Sequence, residues 1–257
     1  MDIHPILQEF LDKWVYPTGF TGPGYDFRMR FTDRCLPAWN VATLRAVEAA
    51  EKDAQDPTRE WLKSNAMAGY AGEGPQMSIK QMSTQLLAVS IEDQKKYIDL
   101  QRMRTQQIWD EVKHGQLHAD VLLRGGFFEK EEDLMESADA NTLGILSYFG
   151  LTAMFPHIHP LARNAQHYFF EGTACLGIKV RIEYMDDPLD LHDNLSQYPE
   201  ELMHFMEGKY QMDAYALTEA EQQPIDEALD FMMQPWAPTL ADALTLDDAG
   251  EATGAQP

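Results

Sequence analysis

The 257-residue chain is poor in cysteine, poor in positive charge and without a long apolar run. Its two cysteines, Cys35 and Cys175, cannot build a disulfide framework, so a reducing, cytoplasmic setting is expected. Only 20 Lys and Arg stand against 42 Asp and Glu, a formal net charge of −22. A surface of that sign repels phosphate backbones and anionic lipid, so neither nucleic acid nor a membrane surface is an expected partner. No stretch approaches the roughly 20 apolar residues of a membrane span. The start, Met1-Asp2-Ile3-His4-Pro5, lacks a basic segment followed by an apolar one, so no secretory signal is read. No Gly-rich phosphate loop follows a strand, and no Gly-x-Ser-x-Gly elbow occurs. Nucleotide-fold and serine-hydrolase chemistry are therefore not expected.

What is present is core material. Apolar residues make up 44% of the chain and aromatics 11%, which argues against global disorder. Residues 1–128 carry 15 bases and 17 acids, whereas residues 129–257 carry 5 bases and 25 acids. The near-neutral first half is the better surface for meeting an acidic partner, and Lys95, Lys96, Arg102 and Arg104 lie within it.

The pattern predicts an all-α protein. Residues 1–37 hold Tyr16-Pro17-Thr18-Gly19 and Gly22-Pro23-Gly24, and read as an irregular, aromatic-anchored arm. Trp39, Val41, Leu44 and Val47 predict a helix from about Ala38 to Ala54, closed by Asp56-Pro57. A short helix follows over 58–70, and Gly72-Glu73-Gly74-Pro75 reads as a break. From Gln76 to Arg124 helix formers dominate, but one helix would span roughly 73 Å. A turn at Ser90–Asp93, which has capping-box spacing, divides it, and Gly125-Gly126 ends it. Asn141 is a candidate cap for a further helix. An apolar helix over 161–185 stops at Asp186-Asp187-Pro188, and others run from Pro199 to about Leu217 and over 219–233. One helical domain over 1–236 with an acidic, disordered tail at 237–257 is expected.

Two Glu-x-x-His units carry the chemistry: Glu111 with His114, and Glu201 with His204. On a helix, positions i and i+3 share a face, so each pair can ligate one metal ion. With 20 Glu and 8 His, roughly 0.6 such pairs arise by chance, and context must add weight. Both pairs fall on predicted helices far apart in the chain. Glu171 lies on the apolar 161–185 helix, where a carboxylate needs a partner or a metal. One Glu from each of two helices and Glu-x-x-His from each of two others is the ligand kit of diiron-carboxylate bundles.

On these residues the chain resembles the ferritin-like diiron oxygenase superfamily. The run Asp110-Glu111-Val112-Lys113-His114-Gly115-Gln116 looks most like the hydroxylase α-subunits of bacterial multicomponent monooxygenases. The resemblance implies a ferritin-like four-helix bundle core with extra helices, over about residues 76–217. It implies two iron ions, with manganese an alternative of the same ligand preference. It also implies dioxygen and an organic substrate as reactants, an electron-donating reductase, and a homodimer or hetero-oligomer. Glu111, His114, Glu171, Glu201 and His204 match its ligands. Asp110 and Glu200 match the acids that hydrogen-bond metal-bound histidines.

The chain also departs from that pattern. The sixth ligand is expected about 30 residues before Glu111, where spacing gives Gln81, a neutral amide. Glu73 is near but sits in the Gly/Pro break. Pro199 places Glu201 in a first helical turn. A non-catalytic, metal-degenerate subunit of a multi-protein complex is therefore the rival reading, and an unrelated helical protein with accidental motifs the third. Gln107, His118 and His167 neighbour the ligands, as do Gly172, Ala174, Cys175 and Gly177, small residues that serve either a pocket or close helix packing. His157-x-His159 is a weak competing metal motif. Met203, Met206, Met212, Met232 and Met233 read as core filler.

Overall fold

The computed structural model describes residues 2–73, 90–137, 161, 162, 165 and 167–234. Among these, every regular element is a helix. Helix α1 (Pro5–Phe10) continues into a π-helical turn (Leu11–Val15), followed by α2 (Pro23–Asp53) and α3 (Glu60–Glu73). Then come α4 (Ile91–Lys96), α5 (Ile98–Arg124), a second π-helical turn (His167–Glu171), α6 (Gly172–Tyr184), α7 (Pro188–Tyr215) and α8 (Glu219–Met233). None of the described helices is long and apolar enough to cross a membrane. Gln81, Asn141, His157, His159 and the expected tail over 237–257 lie outside the described residues.

The chain divides into two compact units, each assembled from separate stretches of sequence. One comprises Met1–Glu48, Leu161–Val180 and Glu201–Pro257; the other comprises Ala49–Pro160 and Arg181–Glu200.

The first unit corrects the expected irregular arm over 1–37, most of which is helical. Pro5 stands in the first turn of α1, where its missing N–H costs nothing, and His4 caps that turn through Nδ1. Ile6, Leu7, Phe10, Leu11 and Val15 are buried. Gly24 is a packing residue within α2: a Cβ there would strike the backbone carbonyls of Met212 and Asp213. Pro37 lies inside α2, at the cost of one helical hydrogen bond. The fully buried Arg28 donates from Nε to Asp213 (2.6 Å) and from Nη1 to the Val15 carbonyl (3.0 Å). Lys209 donates to the carbonyls of Trp14 and Pro17. These bonds hold the Pro/Gly-rich connection in place without regular structure.

Aromatic rings fill the core of this unit. Phe205 lies 4.9 Å from Phe10 and 4.8 Å from Tyr168 by ring centroids, and Trp39 lies 5.5 Å from Tyr168. The Trp39 indole donates to the Phe169 carbonyl at 3.0 Å. A Cβ on Gly172 would meet that indole, so Gly172 serves close packing, whereas Gly177 has open space.

In the second unit, α3 packs on α5. Leu62, Ala66, Met67, Tyr70 and Ala71 meet Ala119, Val121 and Leu122, with Leu134 alongside. Ser90 caps α4 by accepting from the Asp93 N–H at 3.0 Å, as the spacing predicts. Gly126 takes φ 74° beyond the end of α5, a left-handed conformation suited to glycine.

Helix α7 begins at Pro188, about three turns before the expected start at Pro199. Pro199 is an interior residue of it, so Glu201 lies mid-helix and not in a first turn. Pro188 supplies the start signal, and the later proline is tolerated at the cost of one backbone bond.

Candidate metal centre

An amphipathic helix normally buries an apolar stripe. On α5 the buried face instead carries Gln107, Asp110, Glu111, His114 and His118. On α7 it carries Asp193, Asn194, Gln197, Glu201, His204, Glu207 and Gln211. Buried polar groups destabilise unless they are hydrogen-bonded or bound to a metal, so these faces must have partners.

In the second unit, Glu73, Glu111 and His114 form a cluster whose three ligand atoms lie within 4.8 Å of one another. His114 is fully buried. Its Nδ1 lies 3.6 Å from Glu111 Oε2 and 3.8 Å from Glu73 Oε2. Both separations exceed a hydrogen bond. Donor atoms sharing one ion at about 2.1 Å stand about 3 Å apart side by side and about 4 Å apart across it. The observed separations fall between, and the donor set of one imidazole and two carboxylates suits iron or manganese.

The opposite ring nitrogen, Nε2, lies 2.9 Å from Glu200 Oε2. A carboxylate only accepts, so that contact places the proton on Nε2 and leaves Nδ1 with a lone pair toward Glu73 and Glu111. Lys113 donates to the other oxygen of Glu200. Gln107 Nε2 donates to Glu111 Oε1 at 3.2 Å, and Gln106 donates to both oxygens of Asp110.

His118, one turn beyond His114, is also buried. Its Nδ1 lies 3.0 Å from Asp193 Oδ2 and its Nε2 lies 3.2 Å from Glu73 Oε2. Gln197 donates to the second oxygen of Asp193 at 2.7 Å. Burial pushes the imidazole pKa down, but the hydrogen bonds and charges of Asp193 and Glu73 outweigh it and raise the value to about 10.

In the first unit, Glu201 and His204 repeat the pair on α7. His204 Nδ1 lies 3.6 Å from Glu201 Oε2, the same separation as in the His114–Glu111 pair. Both residues are buried. Glu171 ends the π-helical turn, a local over-winding that recurs at functional sites. Cys175 is fully buried, and its thiol pKa is pushed well up by burial and then by the charges of Glu201 and Glu171. A thiol so disfavoured as thiolate is no nucleophile.

Each unit thus places a Glu-x-x-His pair, and the second adds a carboxylate that spacing had not selected. Glu73 lies on α3, whose described residues run through the Gly72 position of the expected break. Asp193 and Gln197 were not marked by the sequence reading. Their signal is helical: polar residues at 193, 197, 201 and 204 recur on the stripe of α7 that would otherwise be apolar. Comparison with family models, curated proteins and solved structures finds no match to the chain.

Proposed function

We propose that the chain is a ferritin-like, diiron-dependent oxygenase that uses dioxygen to oxidise an organic substrate. Glu73, Glu111 and His114 hold one ion, and Glu171, Glu201 and His204 hold the other. The observation that carries this reading is the buried Glu73–Glu111–His114 cluster, whose histidine is oriented through its far nitrogen by Glu200.

Charge balance favours Glu73 over Gln81 as the sixth ligand. Two divalent ions bring four positive charges, which the carboxylates of Glu73, Glu111, Glu171 and Glu201 cancel. A set completed by a neutral amide leaves one charge over, which is costly in a buried site. The case for a degenerate, non-catalytic subunit rested on that missing carboxylate and weakens with it.

When bound, iron would supply dioxygen reduction and oxidation of the substrate, with electrons from a separate reductase. The chain's own residues provide the setting. Glu200 fixes the His114 tautomer and, as an acceptor, makes Nδ1 a stronger donor. Lys113 lies on Glu200 and moderates that effect by offsetting its charge. Gln107 holds Glu111 in the rotamer that faces His114. The buried, uncharged thiol of Cys175 keeps the surroundings of Glu171 and Glu201 weakly polar.

Oxygen consumption tests the function. Protein loaded anaerobically with ferrous iron should take up dioxygen when given a reductant, and Glu111→Ala and Glu201→Ala should each reduce the rate at least about 100-fold. Iron-loaded protein that consumes no dioxygen would contradict oxygenase activity.

A further inference from the structure

His118 lies outside the ligand set yet contacts it. Glu73 stands apart from the other two residues of the cluster in one respect: it reaches them from α3, on a half-buried side chain, whereas Glu111 and His114 share one turn of α5. Its direction is therefore not set by the helix that carries the other two. Something must hold it against α5.

The side chains around Glu73 supply that hold. His118 Nε2 meets Glu73 Oε2 at 3.2 Å, the same oxygen that lies 3.8 Å from His114 Nδ1. The far side of the His118 ring is tied to Asp193 Oδ2 at 3.0 Å, and Asp193 is held in turn by Gln197. Asp193 and Gln197 stand one turn apart on α7, so α7 anchors a ring on α5, which grips Glu73 on α3. The ring has a seat made for it. A Cβ at Gly69, one turn before Glu73, would overlap the His118 imidazole. Glycine at that position lets the ring lie directly on α3.

We infer that His118, braced by Asp193 and Gln197, is a positioning residue that holds Glu73 as a metal ligand. The chain Gln197–Asp193–His118–Glu73 sets where the carboxylate points, and His118 itself binds no ion because both of its nitrogens are engaged by carboxylates. This inference rests on the metal-site reading and deepens it. It predicts that one of the two ions depends on His118 far more than the other.

Cobalt(II) is a suitable probe, since its visible absorption reports ligand number and each ion can be titrated anaerobically. Wild-type protein should bind two cobalt ions. His118→Leu should weaken one of them by about 10- to 100-fold, the usual effect of removing a residue that orients a ligand, and leave the other unchanged. His118→Gln, which keeps a donor toward Glu73, should recover part of the loss. Asp193→Asn keeps the ring in place but weakens its brace, and should shift the same ion in the same direction by less. Far-UV circular dichroism of the metal-free variants identifies a folding failure, in which case Asp193→Asn and His118→Gln decide the matter. Two ions bound with wild-type affinities in all three variants would overturn the role of His118 and leave the metal centre standing. Equal weakening of both ions would show a general structural role and also overturn it. Wild-type protein that takes up no cobalt would overturn the metal-site reading and this inference together.

Discussion

The two nitrogens of His114 have different duties. Nδ1 faces the carboxylates of Glu73 and Glu111, while Nε2 is committed to Glu200. The ligand assignment can be tested one residue at a time. Glu73→Gln should lower the affinity of one ferrous ion at least about 10-fold by isothermal titration, because a charged donor is lost. Gln81→Ala should leave both affinities unchanged. The reverse pattern would restore Gln81 as the ligand. The pairing of Glu111 with His114 and of Glu201 with His204 was legible in the sequence because i, i+3 spacing is a local property that a helix converts directly into a shared face. The approach of Glu73 to the first pair was not, because it is a tertiary contact between α3 and α5 that spacing does not encode.

Lys209 gives a second test at this scale, away from the metal ligands. Its ammonium is buried and donates to the carbonyls of Trp14 and Pro17. Burial and then the Arg28 cation lower its pKa, Asp213 opposes both, and the net value falls from 10.5 to about 8. The folded protein thus releases this proton near pH 8, whereas the unfolded chain keeps it to about pH 10.5. Between those values the unfolded state binds more protons, so this group makes stability rise with pH across the window, with no slope below it. Urea unfolding from pH 7.5 to 10.5 should show a smaller rise in Lys209→Met than in wild type. Equal slopes in the two proteins would contradict the assignment.

At the scale of the helix, α7 is the informative element. It carries the Asp193–Gln197 brace, Glu200 and the Glu201–His204 pair along one length from Pro188 to Tyr215. The sequence reading began this helix at Pro199, since proline both starts and interrupts helices. Composition alone cannot tell which role a given proline has; here Pro188 starts α7 and Pro199 is carried inside it. The N-terminal segment differs from its expected irregular form for a related reason. Gly24 has the local character of a turn residue, but the backbone of Met212 and Asp213 lies against it, a tertiary cause with no local signature. Where the cause is local, the reading succeeds. Helix α8 was expected over 219–233, and it begins at a complete capping box, with Thr218 and Glu221 exchanging bonds. Thr218→Ala should cost about 1 kcal/mol, seen as a fall of roughly 2–4 °C in thermal midpoint. An unchanged midpoint would mean that α8 does not contribute to the cooperative unit.

For the whole molecule, the net charge of −22 divides into two populations of acids. Most lie outside the buried set. A smaller set is interior, among them the candidate ligands: Glu111 and Glu201 are buried, as are Asp110 and Asp193, while Glu73 and Glu171 are partly so. The all-helical class was legible because helix formers and breaks are distributed along the entire chain. The division into two units was not, since each unit gathers stretches far apart in sequence. Ions bound only by the folded state should also raise the unfolding temperature, by an amount that grows with the logarithm of their affinity. The most direct measurement is the ferrous iron content of the full chain after anaerobic reconstitution and removal of loose metal. The account predicts two ions per chain in wild type, with the loss of bound iron in Glu111→Ala and in Glu201→Ala. A wild-type chain that retains no iron, or variants that retain as much as wild type, would contradict it.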